Sequence, residues 1–333
     1  MEKNIFETME EDVMRAELKE EERRKLLKNI MALKNKKVNL MITGATGSGK
    51  SSTINALFDM EVAKVGVGVD PETMDIRKYE LGNLVLWDSP GLGDGKEADE
   101  RHAKNIVEKL YEKDENGKAL IDLVLVILDG STRDLGTSYQ LINNVIIPNL
   151  GADKEKRILV AINQADVAMK GKYWDEENNE PMEKLKEYLN EKVKSVQKRI
   201  KEGTGIEIEP IYYSAGFKEE GMPQQKPYNL SKLLYYIVKA TPEEKRLVYV
   251  DTINKEPEMW EKDDNLIEYE KEIKSSFFET VRDCATKGAE MGGAIGRIFG
   301  NTGEKIGIVA GMVGGTVFGI VKSVISGIGS IFR

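Results

Sequence analysis

The pattern of apolar and polar positions changes character three times along the chain. Between residues 37 and 240, short apolar and β-branched runs alternate with longer helical patterns, and 37–43, 74–81, 84–87, 123–128, 158–162 and 208–213 read as strands. This alternation predicts an α/β fold, a mostly parallel sheet with helices on both faces. In such sheets ligands sit at the carboxyl ends of the strands, so the loops there are where chemistry is to be sought.

Ahead of this region, residues 1–36 are rich in Glu and Lys and place Ile5, Phe6, Met9, Val13, Met14, Leu18, Leu26, Leu27, Ile30 and Leu33 at roughly helical intervals. The stripe predicts an amphipathic helical arm that packs on the main domain or on a C-terminal helix. Behind the α/β region, Thr241 and Pro242 form a helix-start pattern, and 266–285 continues as a charged amphipathic helix. The expected division is an arm (1–36), an α/β domain (37–240), a helical region (241–287) and an apolar tail (288–333).

The tail has its own pattern. Glycines fall at 288, 292, 296 and 300, then at 303, 307, 311, 315 and 319, which puts them on one helical face. Glycine in a helix costs roughly 1 kcal/mol relative to alanine, so close helix packing has to offset it. Ile306 to Val321 carries no charge over 16 residues, against roughly 20 for a membrane span. Five cations (Lys287, Arg297, Lys305, Lys322, Arg333) oppose two anions (Glu290, Glu304) from Cys284 onward, a balance suited to an anionic membrane surface. A membrane-associating hairpin, a hairpin buried on the protein's own helices and an oligomerisation element all fit.

Over the whole chain of 333 residues the formal charge is −8, which makes nucleic acid an unlikely partner. The single cysteine, Cys284, forms no internal disulfide, and with the single histidine, His102, it makes no zinc site. A reducing, cytoplasmic setting is expected, with the inner membrane as a further possibility through the tail. The polar N-terminus offers no apolar secretory segment.

The chemistry is concentrated in Gly44-Ala45-Thr46-Gly47-Ser48-Gly49-Lys50-Ser51, which fits the phosphate-loop pattern G-x-x-x-x-G-K-S/T between a predicted strand and a predicted helix beginning at Ser52. Glycines let the backbone N–H groups curl around a phosphate at the positive end of the helix. Lys50 would reach the β- and γ-phosphates, and Ser51 would ligate Mg2+. At the end of the next predicted strand but one, Asp88-Ser89-Pro90-Gly91 offers a carboxylate for the metal and the Gly91 N–H for the γ-phosphate. Thr73 is the candidate for a mobile threonine that senses both. Asn163-Gln164-Ala165-Asp166 and Ser214-Ala215-Gly216 follow two further strands. Asp166 can accept two hydrogen bonds from guanine, a donor pair that adenine lacks on that edge. Asn163 would bridge to the phosphate loop, and the Ala215 N–H would face the guanine carbonyl.

This ordered set resembles the nucleotide boxes of the TrmE-Era-septin-like GTPases, a neighbourhood that includes septins and immunity-related GTPases, and is most similar to a bacterial Era-like group. The resemblance spans about 200 residues. It implies a P-loop GTPase domain with GTP or GDP and Mg2+ as ligands, slow hydrolysis, a switch or assembly role, and a homodimer across the nucleotide face. The flanking helices are not explained by it. Gln164 replaces the usual lysine of the guanine motif, Leu92 stands where many switch GTPases have a water-orienting glutamine, and Gly47 replaces an asparagine that binds potassium in some relatives. Arg101, His102 and Arg133 are candidates for assisting hydrolysis. The alternatives are a membrane-inserting or self-assembling effector in which nucleotide mainly gates exposure of the tail, and a ribosome-assembly GTPase.

Overall fold

The computed structural model describes residues 3–60, 64–66, 76–93, 95–218, 224–286 and 295–314. Thr73, Met74 and most of the glycine-rich tail lie outside these described residues. Two helices open the chain, α1 (Ile5–Arg15) and α2 (Glu20–Lys34). The arm divides into two helices because Ala16 is extended and Lys19 starts a new helix whose Glu22 carboxylate accepts from the Lys19 N–H. Then follow β1 (Val38–Gly44), α3 (Lys50–Leu57), β2 (Lys64–Gly66), β3 (Arg77–Leu81), β4 (Leu84–Asp88), α4 (Lys96–Tyr111), β5 (Leu123–Asp129) and α5 (Gly136–Gln140). The second half adds β6 (Ile158–Asn163), a small hairpin β7 (Trp174–Asp175) and β8 (Glu180–Pro181), α6 (Glu183–Thr204), β9 (Ile211–Tyr212), a second hairpin β10 (Phe217–Lys218) and β11 (Gln224–Gln225), and α7 (Leu230–Ala240). A 3-10 stretch, Glu243–Asp251, leads to α8 (Tyr269–Thr286), α9 (Ile295–Ile298) and α10 (Gly300–Val313).

Seven strands form one sheet in the order β2-β3-β4-β1-β5-β6-β9. The pairs β1·β4, β1·β5, β5·β6 and β6·β9 are parallel, and only β3 runs against its neighbours. The strand expected over 208–213 shrinks to two paired residues. Alternation along β5 explains why its run is apolar throughout. Leu123, Leu125 and Ile127 join the core on one face, whereas Val124, Val126 and Leu128 join the core on the other.

The first of these cores does not stop at the sheet. It runs from β1 and β5 through α3 and α7 into Ile5, Met9 and Val13 of α1, Phe277 and Val281 of α8, and Ile306 and Val309 of α10. The terminal helices therefore extend one face of the α/β domain. Within the tail, α10 buries Ile306, Val309, Ala310 and Val313 among the protein's own helices. Among the described residues, no helix is long and apolar enough to cross a membrane.

A buried carboxylate fixes this docking. Asp12 accepts from the Thr302 N–H at 2.8 Å, the Thr302 hydroxyl at 2.7 Å and the Asn301 amide at 2.7 Å, so α1 caps the first turn of α10. Lys305 pairs with Asp251 at 2.7 Å, and the other oxygen of Asp251 accepts the Ile5 N–H at 2.8 Å. The same segment is stitched to the helix of the phosphate loop. Phe58 and Ile253 form a β-bridge, Asp59 N–H donates to the Thr252 carbonyl at 3.0 Å, and Asn254 N–H donates to the Leu57 carbonyl at 2.9 Å.

Replacing Asp12 leaves three donors of α10 without their acceptor. Asp12→Ala is expected to destabilise the protein by about 3 kcal/mol, seen as a lower denaturant midpoint, with faster tryptic cleavage at Lys305. An unchanged midpoint and cleavage rate would remove Asp12 from this role.

Candidate functional site

Four loops converge at the carboxyl ends of β1, β4, β6 and β9. The first, residues 44–51, starts where β1 ends. Gly44 has φ +152° and leaves no room for a side chain, since a Cβ there would lie 2.2 Å from the Ile127 carbonyl oxygen. Gly49, at φ +85°, begins α3, and its Cβ would lie 2.2 Å from the Asn163 amide nitrogen. Both conformation and space demand glycine here. Lys50 folds back over the loop, donating to the carbonyls of Gly44 at 3.3 Å and Ala45 at 3.1 Å. Ser51 and Ser52 occupy the first turn of α3, Ser51 exposed and Ser52 half-buried.

Asn163 joins this loop to the third and fourth. Its amide nitrogen donates to the Ser48 carbonyl at 3.0 Å, while its amide oxygen accepts the Ala215 N–H at 2.9 Å. The bridge expected from Asn163 is therefore present, but the Ala215 N–H points to Asn163 instead of lying open towards a base. Gly216 N–H likewise turns to the Ser214 hydroxyl at 3.0 Å. Gln164, held at φ +62°, donates to the Gly47 carbonyl at 2.7 Å, so it ties the guanine motif to the phosphate loop without a charge. Asp166 is half-buried on the turn after β6.

The second loop leaves β4 at Asp88, which pairs in register with Ile42 of β1 and Arg77 of β3. Burial pushes its carboxyl above the usual range, partly offset by the nearby charges of Lys50 and Arg77. The Asp88 Oδ1 and Ser48 Oγ atoms are buried without a hydrogen-bond partner among the described residues. Polar atoms left this way are costly, and their position beside Lys50 suits a phosphate–metal ligand. The donor set, one carboxylate with serine hydroxyls and a lysine, has the hard oxygen character that Mg2+ prefers. The residues therefore fit a magnesium nucleotide.

Gly91 is pressed against the phosphate loop. A Cβ at this position would lie 2.4 to 2.6 Å from Thr46 atoms. The next residue pairs with Ala45 in a parallel bridge, and the Thr46 N–H donates to the Leu92 carbonyl at 3.0 Å. The Leu92 side chain is 5 % exposed and belongs to the second core, so it packs instead of orienting water. On the other side, His102 Nδ1 lies 3.1 Å from the Gly91 carbonyl oxygen. Seven residues further along α4, Lys109 sits 4.2 Å from the centre of the Trp87 ring, whose N–H donates to Asn39 at 3.0 Å. Arg101 and Arg133 are exposed.

Some members of the site carry no sequence motif. Gly130 after β5 donates its N–H to the Asn163 carbonyl at 2.7 Å, and a Cβ there would lie 2.4 Å from that oxygen. The Tyr213 hydroxyl meets Thr53 of α3 at 2.6 Å, and burial raises its pKa. An apolar strand ending in tyrosine gives no signal of that contact.

Fold and loops together define a P-loop GTPase domain. A family model described as 50S ribosome-binding GTPase matches residues 39–164. Among curated proteins, the uncharacterized protein YfjP of Escherichia coli is 30% identical over 148 residues, 43% of this chain and 47% of that protein. Interferon-inducible GTPase 1 of Mus musculus is 42% identical over 62 residues, 17% of this chain and 15% of that protein. Translocase of chloroplast 125 of Physcomitrium patens is 38% identical over 107 residues, 29% and 9% respectively. These matches span less than half the length of each relative. Among solved structures, Toc33 from Arabidopsis thaliana in complex with GDP and Mg2+ is 17% identical, covers 75% of this chain and 98% of its own, and has a TM-score of 0.41. LeoA, a bacterial dynamin GTPase, is 12% identical, with 85% and 47% covered and a TM-score of 0.39.

The raised pKa of Asp88 fixes the sign of a prediction. A carboxyl favoured in its neutral form by folding contributes stability at low pH that is lost as pH rises through the interval between its unfolded and its folded value. At neutral pH the ionised side chain therefore weakens the nucleotide-free fold, and Asp88→Asn is expected to raise the melting temperature there while abolishing the gain from added Mg2+ and nucleotide. A lower melting temperature at neutral pH would contradict this.

Proposed function

We propose that this chain binds GTP and GDP with magnesium and hydrolyses GTP slowly, using the nucleotide state to alter the helices packed on its α/β domain. The observation that carries the reading is the two-ended bond of Asn163, which locks the guanine-reading loops to the phosphate loop as one body. Lys50 and the N–H groups of the phosphate loop would take the phosphates, with Gly91 N–H turned to the γ-phosphate. Ser51 and Asp88 would hold magnesium, with Thr73 a further ligand proposed from its place in the sequence. The metal would neutralise charge on the phosphate oxygens as the terminal bond breaks. Asp166 would choose guanine by accepting from its ring N–H and exocyclic amine.

A switch needs a route outward, and the stitching of α3 to residues 252–254 supplies one. Asp251, beside that seam, binds both the start of α1 and Lys305 of α10. Displacement of α3 by nucleotide would thus be felt by the terminal helices. Because α10 is packed against the protein's own helices, we assign it to this internal route and not to a membrane. The nucleotide chemistry, and not the ribosome named in the matched family's description, is what the four loops support. A dimer across the nucleotide face remains part of the proposal through the resemblance alone.

Titration calorimetry in Mg2+ tests the reading. GDP and a non-hydrolysable GTP analogue are expected to bind and ATP is not. Lys50→Ala should weaken GTP binding by 100-fold or more, and Asp166→Ala should weaken GDP binding by at least tenfold, on the order of 1.4 kcal/mol or above. Equal binding of ATP, or an unaffected Lys50→Ala variant, would overturn it.

A further inference from the structure

Helix α4 grips both ends of the turn that carries Asp88 and Gly91. Lys109 covers the ring of Trp87 at one end, and His102 reaches the Gly91 carbonyl at the other. The two contacts are seven residues apart, two helical turns on one face. His102 is buried, at 6 % exposure, which removes it from direct contact with an attacking water. The contact through which it can act on the site is the Gly91 carbonyl.

A carbonyl oxygen can only accept, so the Nδ1 atom of His102 must carry the proton in this bond. The bond fixes the direction of the peptide between Gly91 and Leu92. The next carbonyl, that of Leu92, is held by the Thr46 N–H on the phosphate loop. The Gly91–Leu92 stretch is therefore clamped between α4 and the phosphate loop, with Thr46 atoms where a Cβ of Gly91 would stand. Gly91 cannot shift towards a terminal phosphate without either taking α4 with it or breaking the His102 bond.

We propose that His102 is a positioning residue for GTP hydrolysis, holding Gly91 through its Nδ1–H so that the turn meets the γ-phosphate and α4 moves with it. The proposal rests on the GTPase reading above. It gives α4 a specific role, as the element that follows the terminal phosphate, and it explains why the one histidine of the chain lies on the buried face of a charged helix.

Three substitutions separate positioning from packing. An asparagine places its amide nitrogen near the position of Nδ1. A glutamine reaches instead towards Nε2, and a phenylalanine keeps the ring without a donor. The full chain and its His102→Asn, His102→Gln and His102→Phe variants would be compared by calorimetry with GDP, by the affinity ratio of a GTP analogue to GDP, and by single-turnover hydrolysis. All are expected to bind GDP within threefold of the parent. His102→Gln and His102→Phe should lose at least tenfold in single-turnover rate and tenfold in the analogue-to-GDP ratio, whereas His102→Asn keeps most of both. If asparagine is no better than glutamine or phenylalanine, or if phenylalanine hydrolyses at the parent rate, the proposal is overturned. Failure of the parent itself to bind GDP would instead overturn the GTPase reading beneath it.

Discussion

Both ends of a single carboxamide, that of Asn163, hold the site together. Its nitrogen fixes Ser48 in the phosphate loop, and its oxygen fixes Ala215 at the end of β9. The backbone of the same residue accepts the Gly130 N–H. Four chain segments far apart in sequence thus meet at one residue that is 2 % exposed. A buried amide with its partners in place is rigid, and a buried amide without them is costly, so these loops form together or not at all. Gly49 and Gly130 are glycines because the Asn163 amide and carbonyl occupy the space where their side chains would be.

From that joint the structure reads outward in two directions. Through α3 it reaches the seam at Leu57 to Asp59 and the residues around Asp251, where the start of α1 and Lys305 of α10 are bound. Through Gly91 it reaches α4. One direction ends in the helices that share a core with the sheet, and the other ends in a helix on the opposite face. Contacts that begin at the phosphate loop therefore continue on each side of the sheet.

The strand, loop and helix around the phosphate loop were legible because local sequence decides them: glycines at the turn, an apolar strand before it and a helix after it. The other five runs of the sheet could be read for the same reason, with the last shortened because pairing, which is not a local property, is confined to Ile211 and Tyr212. The break between α1 and α2 could not be read because the apolar stripe runs on from Met14 to Leu18 without a glycine or proline. Asn163 was legible in its role, but the orientation of the Ala215 N–H depends on a side chain 52 residues away. Leu92 showed what it lacks, and only the fold shows that it is core. His102 was one of three candidates for assisting hydrolysis, but its contact with Gly91 depends on where α4 lies.

Gly91 has one more consequence. Its backbone is not among the positive-φ glycines, so no rule of chain conformation demands glycine there; only the Thr46 atoms do. Two of those three atoms, the Thr46 N and Cα, are backbone that every residue carries. The requirement therefore comes from where the phosphate-loop backbone runs, and trimming the side chain at position 46 would not make room for a larger residue at 91. A side chain at 91 would be accommodated only by a shift of the loop itself, whatever residue stands at 46.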